Sequence, residues 1–293
     1  MRLGRTLLAL FAAISLAAHA ADDSGLDRTL DRLARVAELY RDTALGFTCR
    51  ESISYTAHES GHIEFAYLLI RDDTGKLRDF RTWSTGTTAK ARAKEVDPSD
   101  YHVPRFLESA YLWVFIFRSD RQPLYRFHVV GDEVVGGRNA VKIAFVPRNP
   151  VRKGLNDWVG FASVDRETSQ MLEVEAYTPG DWNRKVRRDI DIASAPSRSR
   201  HADRQTYDIE RIVTEFGFEK NGMRFPSHVE IKKFRSTVVP GKVAETTWDT
   251  TLRKVTQDYS RFEFFSVRSS EEILRFVNGE WPLAPQPAAD AVK

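Results

Sequence analysis

Only one cysteine, Cys49, occurs in 293 residues, so an intrachain disulfide is excluded. In an oxidising compartment such a thiol must be buried or pair with another molecule. Its place in the alternating run Phe47, Cys49, Ile53, Tyr55 predicts burial as a small apolar side chain. Beyond the first twenty residues no apolar run approaches the roughly 20 residues that span a bilayer. Neither sign of charge dominates: the net charge is +3, and loss of Arg2 and Arg5 with a leader would leave +1. That balance argues against strong nucleic-acid binding, which wants a concentrated basic face. The chain holds no G-x-G-x-x-G, no P-loop and no G-x-S-x-G elbow, so no nucleotide cofactor or hydrolase nucleophile is predicted. No repeat of fixed period occurs, which excludes a propeller or solenoid.

What is present begins with a leader. Arg2 and Arg5 precede a nearly unbroken apolar run from Leu7 to Ala17, and Ala18-His19-Ala20 places small residues around a cleavage point before Ala21. The expectation is a signal peptide over 1–20, cleavage near Ala20, and export to the periplasm or beyond. Residues 21–277 are expected to form one domain, because the strand rhythm crosses residue 150 without a linker. Residues 278–293, with Pro282, Pro285 and Pro287, are expected to be a disordered tail. Ser24 is a candidate cap for a helix whose apolar stripe runs Leu26, Leu30, Leu33, Ala37, Tyr40, Ala44.

From residue 47 to 267 alternating strands follow one another. Ile63, Phe65, Tyr67 and Leu69 turn at 72–75 into 77–83; Tyr125, Phe127 and Val129 turn at Gly136-Gly137 into Val141, Ile143 and Phe145. Segments 158–164 and 171–177 are expected to pair across 165–169. Long arms at 207–218 and 223–234 are joined at Asn221-Gly222, and segments 243–255 and 262–267 complete the meander. A second helix over 104–117, with Phe106, Ala110, Trp113 and Phe117 on one side, is expected to act as a plug or lid; a short strand over 112–117 is the alternative. The stretch 178–204 is expected to be a mobile basic loop, its tract Arg184-Lys185-Val186-Arg187-Arg188 solvated or turned to an anionic partner. The fold class is therefore α+β: one strongly curved antiparallel sheet with an N-terminal helix and a plug or lid helix.

His58-Glu59-Ser60-Gly61-His62 matches H-E-x-x-H, which holds zinc when a helix places positions i and i+4 on one face. It lies between two alternating runs, where a hairpin is expected and that geometry is lost. Glu64 stands where an active zincin helix is usually apolar. A zinc protease acting through His58, His62 and Glu59 is thus the weakest of three functional readings. Aromatic residues recur on successive strands, and an incompletely filled concave face would suit acyl chains, each buried methylene contributing about 0.8 kcal/mol. The candidate ligand-binding residues are Phe65, Tyr67, Trp113, Phe117, Phe127, Phe145, Phe225, Trp248 and Phe264.

The chain resembles the LolA/LolB-like superfamily of periplasmic lipoprotein carriers. The likeness is carried by the N-terminal helix leading into Phe47-Thr48-Cys49-Arg50-Glu51, by Trp158-Val159-Gly160-Phe161 with the turn Asp165-Arg166-Glu167-Thr168, and by Asn221-Gly222-Met223-Arg224-Phe225-Pro226-Ser227. It covers most of 26–267. The arginine-proline-glycine segment of the true carriers is missing, Arg78-Asp79-Phe80-Arg81-Thr82-Trp83 being a faint echo. The resemblance implies an unclosed barrel plugged by helices. The expected function is an exported, non-catalytic protein that holds a lipid or acylated protein in the concave face. It would need no cofactor, metal or nucleic acid, and would have at most peripheral membrane contact. An envelope-sensing or interaction protein built on the same shell is the second reading.

Overall fold

The computed structural model describes residues 19–43, 46–56, 60–71, 77–83, 113–148, 158–194, 205–220, 223–238 and 247–264. Helix α1 spans His19–Thr43, followed by strands β1 (Gly46–Thr56), β2 (Ser60–Arg71) and β3 (Leu77–Trp83). A helical turn at 113–116 and a 3-10 turn, Gln122–Leu124, lead into β4 (Tyr125–Val135), β5 (Arg138–Pro147), β6 (Val159–Asp165) and β7 (Met171–Tyr177). Helix α2 (Pro179–Ser194) comes next, then β8 (Gln205–Glu215), the short β9 (Phe218–Lys220) and β10 (Met223–Phe225), β11 (His228–Val238) and β12 (Thr247–Phe264). Ten strands form one antiparallel sheet in the order β3-β2-β1-β12-β11-β8-β7-β6-β5-β4, and β9 pairs with β10 apart from it. The two end strands do not pair with each other, so the sheet is open.

Register defines the faces. The paired residues Phe145, Gly160, Ala176, Ile212, Ile231, Val255, Tyr55 and Gly61 run in one row across eight strands. Side chains in a cross-strand row share a face, so this row marks the inner face. Gly160 is required there: a Cβ would run into the carbonyl oxygen of Glu175. The sheet must bend to bury that face. Leu30 of α1 accepts a hydrogen bond from Gln122 beside β4, while Tyr40 of α1 packs on Phe225, which meets Phe47 of β1. From Leu30 to Tyr40 a helix rises only about 15 Å. Seven strand spacings separate β1 from β4, about 34 Å in a flat sheet. The helix bridges the β4 end and, through Phe225, β1, because the sheet curls around it. Bulges at Thr48/Arg50, Val129/Gly131, Ser163/Val164 and Lys233/Phe234 sharpen the twist that this requires.

The core follows from these elements. Leu30, Leu33, Ala37 and Tyr40 of the α1 stripe join Phe47, Phe65, Phe145 and Ile231 in one buried cluster. Cys49 is buried as expected, and burial raises its thiol pKa well above the usual value. The hairpin at Gly136-Gly137 forms with both glycines at positive φ, 56° and 79°, the conformation that Cβ-bearing residues resist. The pairing of 158–164 with 171–177 also forms. It closes on Asp165, whose Oδ1 accepts the backbone N–H groups of Glu167 at 2.8 Å and Thr168 at 2.9 Å.

Four expectations are corrected. The stretch expected as a mobile loop is helical over Pro179–Ser194, while 195–204 lie outside the described residues. Thr178 caps it: its Oγ1 accepts the Asp181 N–H at 3.1 Å and donates to the Asp181 carboxylate at 2.5 Å, with Pro179 in the first turn. The last two expected strands are one continuous strand, Thr247–Phe264, which bulges at a left-handed Arg261 (φ 56°), where its pairing with β1 shifts by one residue. The arms joined at 221–222 do pair, but the hairpin splits at Phe216-Gly217 into β8/β11 and the small β9/β10 ladder. Helix α1 starts at His19, ahead of the expected Ser24 cap and across the expected cleavage point. Of the expected 104–117 helix, only 113–117 is described, helical over 113–116; 104–112, the 278–293 tail and 1–18 lie outside the described residues.

Candidate functional site

Six of the nine predicted site residues, Phe65, Tyr67, Trp113, Phe117, Phe145 and Phe225, are at most 2% exposed. Phe127 and Phe264 are half-buried against the same core. Phe117 packs on Phe127 (ring centroids 5.2 Å apart) and Phe145 (6.1 Å), and Trp113 meets Trp158 edge-on at 5.1 Å. Phe225 and Phe264 lie 4.6 Å apart in a second group with Phe47, Phe218 and Phe262, the last two stacked at 4.3 Å. Trp248 pairs through its backbone with Thr237, sixteen residues along β12 from Phe264. The segment 113–117 meets the sheet through apolar side chains plus one buried bond, Trp113 Nε1 to Thr214 Oγ1 at 3.0 Å.

Beside the aromatics lies a charged group that pattern reading passed over. Arg81 on β3 donates from Nε to Glu51 Oε2 at 2.5 Å and from Nη2 to Glu51 Oε1 at 3.0 Å. Its Nη1 reaches Asp79 at 2.7 Å. Gln257 and Tyr259 of β12 each donate to Glu51 Oε1 at 3.1 Å. Burial opposes the Arg81 charge, but Glu51 holds it, and the net effect is a pKa well above the usual guanidinium value. Burial likewise pushes the Tyr67 and Tyr259 phenols upward. The guanidinium lies 4.9 Å from the Tyr67 ring centroid. A carboxylate in the inward row Phe47, Cys49, Glu51, Ile53 was the available signal, because a charge at a core position demands a partner.

A polar cavity of about 280 Å³ opens where α2 runs beside β8, lined by Asp181, Arg184, Asp208, Glu210 and Lys233. Strand β7 pairs with β8 only as far as Ile212, so the edge beyond needs another partner. Asp181 supplies it: its Oδ1 accepts the Glu210 backbone N–H at 3.1 Å and Arg184 Nη2 at 2.6 Å. The basic tract is largely neutralised within α2, since Arg184 pairs with Asp181, and Lys185 and Arg188 pair with Asp189.

The H-E-x-x-H match dissolves into strand. Ser60, Gly61 and His62 belong to β2, where His62 pairs with Ser54, and an extended backbone does not present i and i+4 together. His58 and Glu59 lie outside the described residues. His62 Nδ1 is 3.0 Å from Ser54 Oγ and its Nε2 is 3.8 Å from Glu64 Oε1. That trio stands on an exposed strand surface with Glu64 also bonded to Arg50, an arrangement of surface pairs. No group of three or more metal-ligating side chains occurs among the described residues, and none of their helices is long and apolar enough to cross a membrane.

No protein-family model and no curated protein matches the chain. Among solved structures it is similar to a DUF1329 family protein from Desulfovibrio piger, at 12% identity over 87% of this chain and 97% of that one, TM-score 0.43. A putative outer membrane lipoprotein-sorting protein domain from Vibrio parahaemolyticus matches at 12% identity over 86% and 98%, TM-score 0.41. A LolA superfamily protein from Nitrosomonas europaea matches at 9% identity over 83% and 96%, TM-score 0.38.

Proposed function

We propose that this chain is an exported, non-catalytic binding protein of the periplasm that accepts an acyl chain, from a lipid or an acylated protein, on the inner face of its open sheet. The supporting observation is how the plugs are attached. Helix α1 and the segment 113–117 cover the sheet with apolar side chains and leave its ladder intact, so an acyl chain can take their place without breaking strand pairing. Exposing Trp113 and Phe117 costs roughly 1.5–3 kcal/mol each, while a dozen buried methylenes return about 10 kcal/mol. The aromatics Phe65, Tyr67, Phe127, Phe145, Phe225 and Phe264 would contact the chain, with Trp113 and Phe117 withdrawn. The basic, apolar leader and its small-residue cleavage point support export.

The test is titration with an uncharged acyl probe, a fluorescent monoacylglycerol, alongside native mass spectrometry of the gently purified protein. Saturable binding at one site, or co-purifying lipid, is expected. Absence of both would overturn the reading.

A further inference from the structure

The inner face changes character along the strands. From the row of Ile212, Ile231 and Val255, one step toward α2 brings Glu210, Lys233 and Arg253, paired in register. The next step brings Asp208 opposite Arg235. A surface that is apolar at one end and charged at the other matches an amphiphile, and the cavity beside α2 lies at the charged end.

The hydrogen bonds decide which charge the cavity offers. Asp208 is held by both Arg235 nitrogens at 2.7 and 2.9 Å, and Glu210 by Arg253 at 2.6 Å. Asp181 is occupied by Thr178, Arg184 and the Glu210 N–H. The three carboxylates are therefore committed. The Lys233 side chain makes no hydrogen bond or close ion pair with the described residues, because Arg253 takes the carboxylate opposite it, and its ammonium is attracted to Asp208 only at longer range. Arg184 spends one nitrogen on Asp181. The uncommitted valence facing the cavity is cationic, from an ammonium and a guanidinium that both suit phosphate oxygens. A volume of about 280 Å³ lies at the small end for ligand pockets, enough for a head rather than a whole lipid.

We infer that the cavity between α2 and β8 binds the phosphate group of a small phosphate ester through Lys233 and Arg184. Its lipid form, an anionic headgroup whose acyl chain runs onto the inner face, rests on the binding role proposed above; the phosphate site itself does not. The full-length protein is titrated with glycerol 3-phosphate, with inorganic phosphate, and with phosphatidylcholine vesicles with and without phosphatidic acid. Lys233→Gln and Arg184→Gln are compared with the parent. Glycerol 3-phosphate is expected to bind, and each substitution to weaken it about tenfold. Vesicle binding that requires phosphatidic acid and falls in the same variants identifies a lipid headgroup as the source. Binding of the soluble esters alone identifies a soluble phosphate ester and leaves the acyl role to its own probe. Binding unchanged in Lys233→Gln, or none to any probe, overturns the inference. Because Lys233 lacks a close ion pair, its variant should fold as the parent does, and thermal melting checks this.

Discussion

Arg81 reaches across β2 to hold Glu51, its Nε 2.5 Å from Oε2, and neither side chain is more than 1% exposed. The pair ties the edge strand β3 to β1, two strands away in the sheet. Removing one partner strands a buried charge, whereas removing both takes away the two charges together and leaves Gln257, Tyr259 and Asp79 without their former partners. Arg81→Ala and Glu51→Ala are each expected to cost about 3–5 kcal/mol, while the Glu51→Met, Arg81→Met double variant recovers part of the loss, the remainder being the lost partners of Gln257, Tyr259 and Asp79. Urea unfolding of the three variants measures this. A double variant as unstable as the singles would show that the pair is not the seat of the effect.

Asp181 does two jobs, closing the α2 cap with Thr178 and pairing the open edge of β8 at Glu210. Thr178→Ala should cost about 1 kcal/mol as a lost cap. Asp181→Ala should cost more, because it also frees a backbone donor that the sheet leaves unpaired. Hydrogen exchange at the Glu210 amide separates the two: fast in Asp181→Ala, near parental in Thr178→Ala.

The same residues show what the sequence makes legible. Strands with one buried face announce themselves through alternation, and hairpins through glycine pairs, so Tyr125–Val135 and Arg138–Pro147 could be read directly. Helix α2 is hidden in the sequence because its basic tract and flanking prolines resemble a loop. Yet Thr178, Pro179 and Asp181 carry a capping signal three residues long in reach. The Glu51–Arg81 pair needs the register of three strands, which no local pattern contains. The cavity beside α2 depends on where β7 stops pairing, a tertiary fact of the same kind.

Glu173 on β7 lies opposite Glu215 on β8 and is half-buried. Burial first, and then the Glu215 charge, raise its pKa above the ordinary carboxylate value. A raised folded-state pKa means stability that is complete below the unfolded value, about 4.3, and is lost as pH rises through the folded one. Glu173→Gln mimics the protonated form. It should therefore melt higher than the parent at neutral pH, by up to about 1 kcal/mol, with the gain gone at pH 4 and below. Melting curves across that range test it; a gain that persists in acid would point to packing instead of charge.

Trp113 offers the sharpest test of exchange between plug and ligand. Its indole is 1% exposed, packed on Trp158 and bonded to Thr214. Trp113→Ala should destabilise the free protein by about 3–5 kcal/mol through the cavity it leaves. If the acyl chain enters where this side chain sits, the substitution removes a competitor, so the monoacylglycerol probe should bind more tightly to the variant than to the parent. Ligand should also raise the variant's Tm more, since binding to the folded state alone stabilises in proportion to RT ln(1 + [L]/Kd). A chain bound elsewhere would stabilise both proteins equally and leave the probe's affinity unchanged. Loss of affinity in Trp113→Ala would instead make the indole a direct ligand contact, with segment 113–117 staying in place as a wall of the site.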